Sequence, residues 1–175
     1  MKKTIIVLSI FAAMLFTACK TVDDGGAVQA NGTPVEQTSD TVSAEAKADA
    51  SAADIASAVM AEIEIQSAVE KTKDDIGAFY DVDTAAVSDM SVFVCGSGAY
   101  PDELAVFKFT DADSAKAGAE AVKKRLDNQI ALYTDYTPDE VYKLEDATLI
   151  EKGEWVILTV CSDNSRAREI VEKLI

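Results

Sequence analysis

No histidine occurs anywhere in the 175 residues. The commonest general base near neutral pH is therefore missing, and so is the commonest metal ligand. Ser-His-Asp and Cys-His nucleophile systems are excluded, as is every zinc site built with imidazole. Cysteine is scarce too. Cys19, Cys95 and Cys161 are too few for a four-cysteine zinc site. No Gly-Lys-Ser/Thr phosphate loop is present. Gly96-Ser97-Gly98 lacks the dinucleotide-binding spacing, because Pro101 stands where the third glycine is needed. That stretch reads as a hairpin turn, and no cofactor is expected. Positive charge is short as well: 16 Lys and Arg face 31 Asp and Glu, a net of −15. An acidic chain is repelled by nucleic-acid phosphates and by anionic headgroups. No nucleic-acid partner is expected, nor docking of the folded part onto a bilayer.

What is present begins with Met1-Lys2-Lys3, a short basic start. An apolar run from Ile5 to Phe16 follows, broken only by Ser9. It is about 12 residues long, against the roughly 20 a membrane span needs. A basic start, a short apolar stretch and small residues at its exit describe a secretory signal. The run ends Leu15-Phe16-Thr17-Ala18-Cys19, which resembles the lipobox of bacterial lipoproteins. That resemblance implies a diacylglycerol on the Cys19 thiol, cleavage just before it and acylation of the new amine. The expected layout is a signal over 1–18, a lipid-bearing Cys19 and a protein held on the outer face of the membrane. Phe16 departs slightly from the usual aliphatic residue, and an ordinary secretory signal cut after Ala18 is the competing reading.

Residues 19–50 read as a tether. No aromatic residue lies in 20–50, and Gly25, Gly26, Gly32 and Pro34 punctuate Ala, Thr, Ser, Asp and Glu. Such composition buries too little apolar area to offset ordering entropy. Residues 51–175 hold every Tyr and the only Trp, and read as one domain.

Within it, Ile55, Val59 and Ile63 recur every four positions and predict a helix over 51–70. A shorter helix over 72–80 carries Ile76, Phe79 and Tyr80. Val92 to Cys95 and Leu104 to Phe109 predict two strands around the Gly-Ser-Gly turn. Asp111 is a good N-cap for a long helix with the stripe Ala115, Ala119, Val122, Leu126, Ile130 and Tyr133. Pro138 ends that region, with a short helical turn over 138–145. Strands over 147–150 and 155–161 flank Lys152-Gly153. The second has two rather apolar faces, as a strand buried on both sides would. Ser162 is the expected cap of a last helix carrying Ala167, Ile170, Val171 and Leu174. The similar starts of these two helices fit either an internal duplication or independent use of good caps. The expected fold is α+β: an N-terminal helix, then two β-β-α units, with a four-stranded, mainly antiparallel sheet and helices packed on one face.

Three stretches taken together carry a family resemblance. They are Asp102-Glu103-Leu104-Ala105-Val106-Phe107-Lys108 after the Gly-Ser-Gly turn, Ala121-Val122-Lys123-Lys124-Arg125-Leu126 with Gln129, and Tyr136-Thr137-Pro138-Asp139-Glu140-Val141-Tyr142-Lys143-Leu144 ahead of the last strand pair. Together they resemble an uncharacterised lipoprotein domain family of Gram-positive anaerobes, a domain of unknown function. The resemblance implies a location and a fold, and no catalytic residues.

Asp81-x-Asp83 and Asp111-x-Asp113 suggest calcium, but neither continues as an EF-hand loop, and turns and helix caps explain both. Carboxylate pairs of the glycosidase kind are inevitable among so many acids. Cys95 and Cys161 fall in predicted strands. An exported domain permits a disulfide between them, and two buried free thiols is the other reading. Phe93, Phe107, Phe109 and Trp155 are expected in the core. Tyr100, Tyr133, Tyr136 and Tyr142 are expected at the surface, as candidate contact residues. The leading functional expectation is a non-catalytic module that binds an envelope protein or a wall component. A solute-binding component of a transporter and a small carboxylate-dependent hydrolase are the alternatives.

Overall fold

The computed structural model describes residues 50–175. Cys19, the signal and all but the last residue of the tether lie outside the described residues. Among the described residues, no helix is long and apolar enough to cross a membrane.

Ser51 opens the first helix, α1 (Ala52–Met60), through a capping box in which its side chain and Asp54 bond reciprocally. The helix is shorter than its periodicity predicts. Ile63 and Ile65 remain buried, but the chain turns through Ser67 at φ 49° and becomes a short strand, β1 (Ala68–Glu70). The apolar spacing thus outlasts the helix, because the chain stays against the same core after leaving it. Helix α2 (Lys73–Tyr80) follows, opened by a Thr72–Asp75 capping box. Then come β2 (Val87–Cys95) and β3 (Glu103–Phe109). Strand β2 begins five residues ahead of the predicted Val92, through the polar stretch Ser88-Asp89 and an irregular register between Val87 and Asp89.

Helix α3 (Ala112–Tyr136) is capped by Asp111, whose side chain accepts from the Ser114 amide at 2.7 Å. A short 3-10 turn at Pro138–Glu140 leads into α4 (Val141–Glu145). Strands β4 (Thr148–Lys152) and β5 (Trp155–Val160) close around Gly153, which sits at φ +61°. The last helix, α5 (Asn164–Glu172), is capped by Asp163 and not by Ser162; the Asp163 carboxylate accepts from the Arg166 amide at 2.9 Å.

The sheet has five strands in the order β1-β2-β3-β5-β4, every neighbouring pair antiparallel. The α+β class is as expected. The count of four strands is corrected by β1, whose three residues are all exposed and carry no apolar alternation to betray a strand. The placement of helices on one face is also corrected. Ala105, Phe107, Val156 and Leu158 face α3, with Ile76 and Tyr80 of α2 and Leu144 of α4. Leu104, Val106 and Ile157 face the other way, onto α1 and α5 through Ile55, Val59, Ala167 and Val171. Central strands apolar on both faces need cover on both. A rotation normal to the sheet that exchanged the two β-hairpins would leave both following helices on one face. Helices α3 and α5 lie on opposite faces, so their similar starts reflect capping.

Phe107 and Phe109 are buried as expected, whereas Phe93 and Trp155 sit half-buried at the margin of the second core. Gly118 lets α3 cross directly over Phe109: a Cβ there would fall among the ring carbons Cζ, Cε1 and Cε2. Gly118→Ala should therefore destabilise the domain, by up to about 2 kcal/mol. Overpacking of about 1–3 kcal/mol outweighs the roughly 1 kcal/mol that alanine gains in a helix. Urea unfolding at neutral pH measures it, and a stabilised variant would mean that Phe109 moves aside freely.

Candidate binding cleft

Strands β2 and β3 end, on the α3 side, in the loop Gly96–Pro101. Two acids stand at the start of β3. Glu103 is buried and accepts from Arg125 on α3, Nη2 to Oε2 at 2.6 Å with Nε 3.1 Å from both carboxylate oxygens. The Tyr80 hydroxyl donates to the same carboxylate at 2.8 Å. Burial opposes the charge on Arg125, but the Glu103 carboxylate outweighs it and holds the guanidinium above its ordinary value. Asp102, also buried, accepts from Lys143 of α4 at 2.8 Å, and Lys143 meets Glu140 at 2.8 Å. Burial would push the Lys143 ammonium down; its bonds to Asp102 and Glu140 win and hold it up. Glu103 is thus held by a bidentate cation, and Asp102 shares the Lys143 ammonium with Glu140, the pairing that buried charge requires.

In front of them opens a cleft of about 430 Å³, walled by the Gly96–Pro101 loop, by Lys71 beyond β1, by Phe79 of α2 and by Arg125, Gln129 and Leu132 of α3. Two cations approach the Phe79 ring, Lys71 Nζ at 4.5 Å and Arg125 Cζ at 5.1 Å from its centroid. Six large apolar side chains are exposed among the described residues: Val69, Phe79, Tyr100, Leu132, Tyr136 and Tyr142. Three of them, Phe79, Tyr100 and Leu132, line this one cleft.

The expected contact tyrosines therefore divide. Tyr100 is exposed and lines the cleft. Tyr136 and Tyr142 are exposed away from it. Tyr133 is corrected to a buried residue. Its hydroxyl donates to the backbone carbonyls of Tyr100 at 2.7 Å and Gly98 at 3.0 Å, and so pins the loop to α3.

Cys95 and Cys161 are free and buried. Cys95 lines the cleft, 3.2 Å from Ser97 Oγ. Burial raises its thiol, but Ser97 and the backbone amides of Tyr100, Ser97 and Gly98 more than offset this, and the net shift is downward. Cys161 lies in the other core and donates to Asn164 Oδ1 at 3.3 Å. Of the calcium candidates, Asp111 caps α3, Asp83 accepts from the Ala85 amide at 2.9 Å, and Asp81 takes a left-handed conformation at the end of α2. No cluster of three or more acidic or cysteine ligands occurs among the described residues.

The model of the family described as Domain of unknown function (DUF4358) matches residues 61–161, more than half of the chain. The chain belongs to that family. No curated protein and no solved structure matches it. The matched span runs from just before β1 to the end of β5 and includes every cleft residue named above. It leaves out α1 and α5, the two helices that cover the opposite face.

Sequence reasoning missed Lys71, Phe79, Arg125, Gln129 and Leu132 as a group. Lys123-Lys124-Arg125 reads as a basic run suited to the helix dipole, but the three part company. Lys123 pairs with Asp127 and Lys124 with Asp81, both exposed, while Arg125 turns inward to Glu103. The available signal was helical phase: Val122, Arg125, Gln129 and Tyr133 fall on one stripe, so a charged residue stands on a buried line.

Proposed function

We propose that this chain is a lipid-anchored, extracytoplasmic binding module, and that the cleft between the Gly96–Pro101 loop and α3 receives its ligand. The observation that carries the reading is the gathering of Phe79, Tyr100 and Leu132 around a concavity whose acids are already paired. Apolar walls with a few fixed polar groups favour binding. Asp102 and Glu103, committed to Lys143 and Arg125, serve there as structure. The anchor is Cys19, with residues 19–50 as the tether that holds the domain clear of an anionic surface. Two or three acyl chains give stable attachment, since one alone is marginal. The cleft is open on one side of a single domain. That shape suits docking of a segment from an envelope protein or wall polymer better than enclosure of a small solute.

The test is fractionation and crosslinking of cells that carry the wild type, Cys19→Ser, or Phe79→Ser with Leu132→Ser. Cys19→Ser should leave the membrane fraction or remain unprocessed. The cleft double variant should stay membrane-bound and lose its crosslinked partner. If Cys19→Ser matures and fractionates as before, the anchor is wrong. If the double variant keeps every crosslink, the cleft is not the binding site.

A further inference from the structure

Resting on the reading of the cleft as a binding site, we infer that its ligand is an extended peptide with a free C-terminal carboxylate, laid along the open edge of β1. Three observations converge. The first is charge. The chain carries −15 overall, and the two acids in the cleft are buried at 1% and 3% side-chain exposure beneath Lys143 and Arg125. Lys71 is half-buried, and its ammonium rests on the Phe79 ring. The charge that the cleft offers to solvent is therefore cationic, within a domain that is acidic elsewhere. A carboxylate is the complement, and the surrounding negative field discriminates against ligands bearing many negative charges.

The second is the edge. Strand β1 is the outermost strand, and β2 is its neighbour. Val69 pairs with Val94, Gly96 N–H donates to Ser67 O at 3.0 Å, and Lys71 N–H donates to Val92 O at 2.8 Å. In an antiparallel ladder that register turns the backbone groups of Ser67, Val69 and Lys71 towards β2. The groups of Ala68 and Glu70 then point outward, and all of 68–70 is exposed. No other described strand pairs with that edge, and an unpaired edge is a template for an added strand.

The third is phase. Val69 and Lys71 share the cleft face of the strand, because alternate side chains point to the same side, and Glu70 points to the other. A strand added to β1 therefore runs beside Lys71, with its cleft-side residues towards Phe79 and Leu132. Its terminal carboxylate takes the ammonium, and its last apolar side chain takes the Phe79 wall.

Two dye-labelled peptides identical except at the C-terminus test this: a short apolar sequence ending in Phe as the free acid, and the same sequence as the amide. Each is titrated against the full mature chain in mild detergent, with fluorescence polarisation as the readout. The acid should bind about tenfold more tightly than the amide, the ratio expected of a charge-assisted contact. Lys71→Ala should collapse that ratio, and added salt should narrow it. Glu70→Pro removes an outward N–H without touching the Lys71–Val92 bond, so it should abolish binding of both peptides while thermal unfolding stays in place. Equal affinity for acid and amide, no binding of either, or an unchanged ratio in Lys71→Ala would each overturn the inference. If Phe79→Ser with Leu132→Ser still abolishes cellular crosslinks in that case, the cleft stands as a binding site with another ligand. If the crosslinks persist as well, the parent reading has failed too.

Discussion

Glu103→Ala should cost about 3–5 kcal/mol of unfolding free energy, the usual result of removing one partner from a buried ion pair. Glu103 has 3% of its side chain exposed and satisfies two buried donors at once, Arg125 and Tyr80. With alanine there, the guanidinium of Arg125 keeps its charge, since no accessible pH removes it. Only 15% of its side chain is exposed, so water reaches it poorly. What remains nearby is the Phe79 carbonyl at 3.4 Å and the ring faces of Phe79 and Tyr80. None of these replaces a carboxylate. The loss comes mainly from an uncompensated charge, not from a missing attraction.

That distinction has a measurable form. Glu103→Leu combined with Arg125→Met removes both charges and keeps most of the volume, so it should recover the larger part of the loss. Urea unfolding of Glu103→Leu, of Arg125→Met and of the double variant closes the cycle and gives the coupling directly. If Glu103→Ala costs under about 1 kcal/mol, the pair behaves as a surface bridge, and Arg125 has solvent the fold does not show. The double variant should also take the Arg125 guanidinium from the cleft wall while leaving Lys71 in place. Stability near wild type with altered ligand binding would then separate the pair's structural work from its functional work.

How far the sequence led depends on how local each signal was. The helix cap at Asp111 and the long stripe of α3 were legible, because capping and helical phase act within a few residues. The strand pair around Gly153 was legible for the same reason. Strand β1 was not: three exposed residues carry no period, and only their pairing with Phe93, Val94 and Cys95 makes them a strand. The two-faced apolarity of Trp155 to Cys161 did point to burial on both sides, yet which helices cover which face is decided by chain crossings. The cleft was the least legible part. Lys71 and Phe79 lie far in sequence from Arg125 and Leu132 of α3, and their meeting depends on how α2 and α3 pack across the sheet. Tyr133 shows the reverse error. Its place near the Pro138 turn suggests exposure, although it ends the apolar stripe of α3. Its own phase was the better guide.

Raising the pH past the ordinary thiol value, above which Cys95 with its lowered thiol has no more stability to add, should destabilise the domain before general alkaline unfolding, and Cys161 is the first group to do so. Its side chain is almost wholly buried, and burial pushes the thiol up to about 11 from an ordinary 9.0. In the unfolded chain the thiol ionises near the ordinary value. Above that pH the unfolded state releases a proton that the folded state keeps, so stability falls as pH rises. The contribution is complete below about pH 9 and is lost on the way to about 11. Two units correspond to about 2–3 kcal/mol at roughly 1.4 per unit. Tyr80 adds in the same direction at higher pH: burial first, then the neighbouring Glu103 charge, raise its phenol well above 10.0. Lys143, raised by Asp102 and Glu140, loses its contribution in that upper range as well. Cys161→Ala isolates the thiol. Alanine cannot ionise, and it gives up a hydrogen bond to Asn164, so the variant should be less stable at pH 7. The gap should then close by about 2 kcal/mol between pH 8 and pH 11 as the wild type loses what the variant never had. Urea unfolding at intervals across that window measures it. Parallel curves would mean that the Cys161 thiol titrates in the fold as it does in solvent, and that the α1–α5 side of the sheet admits water.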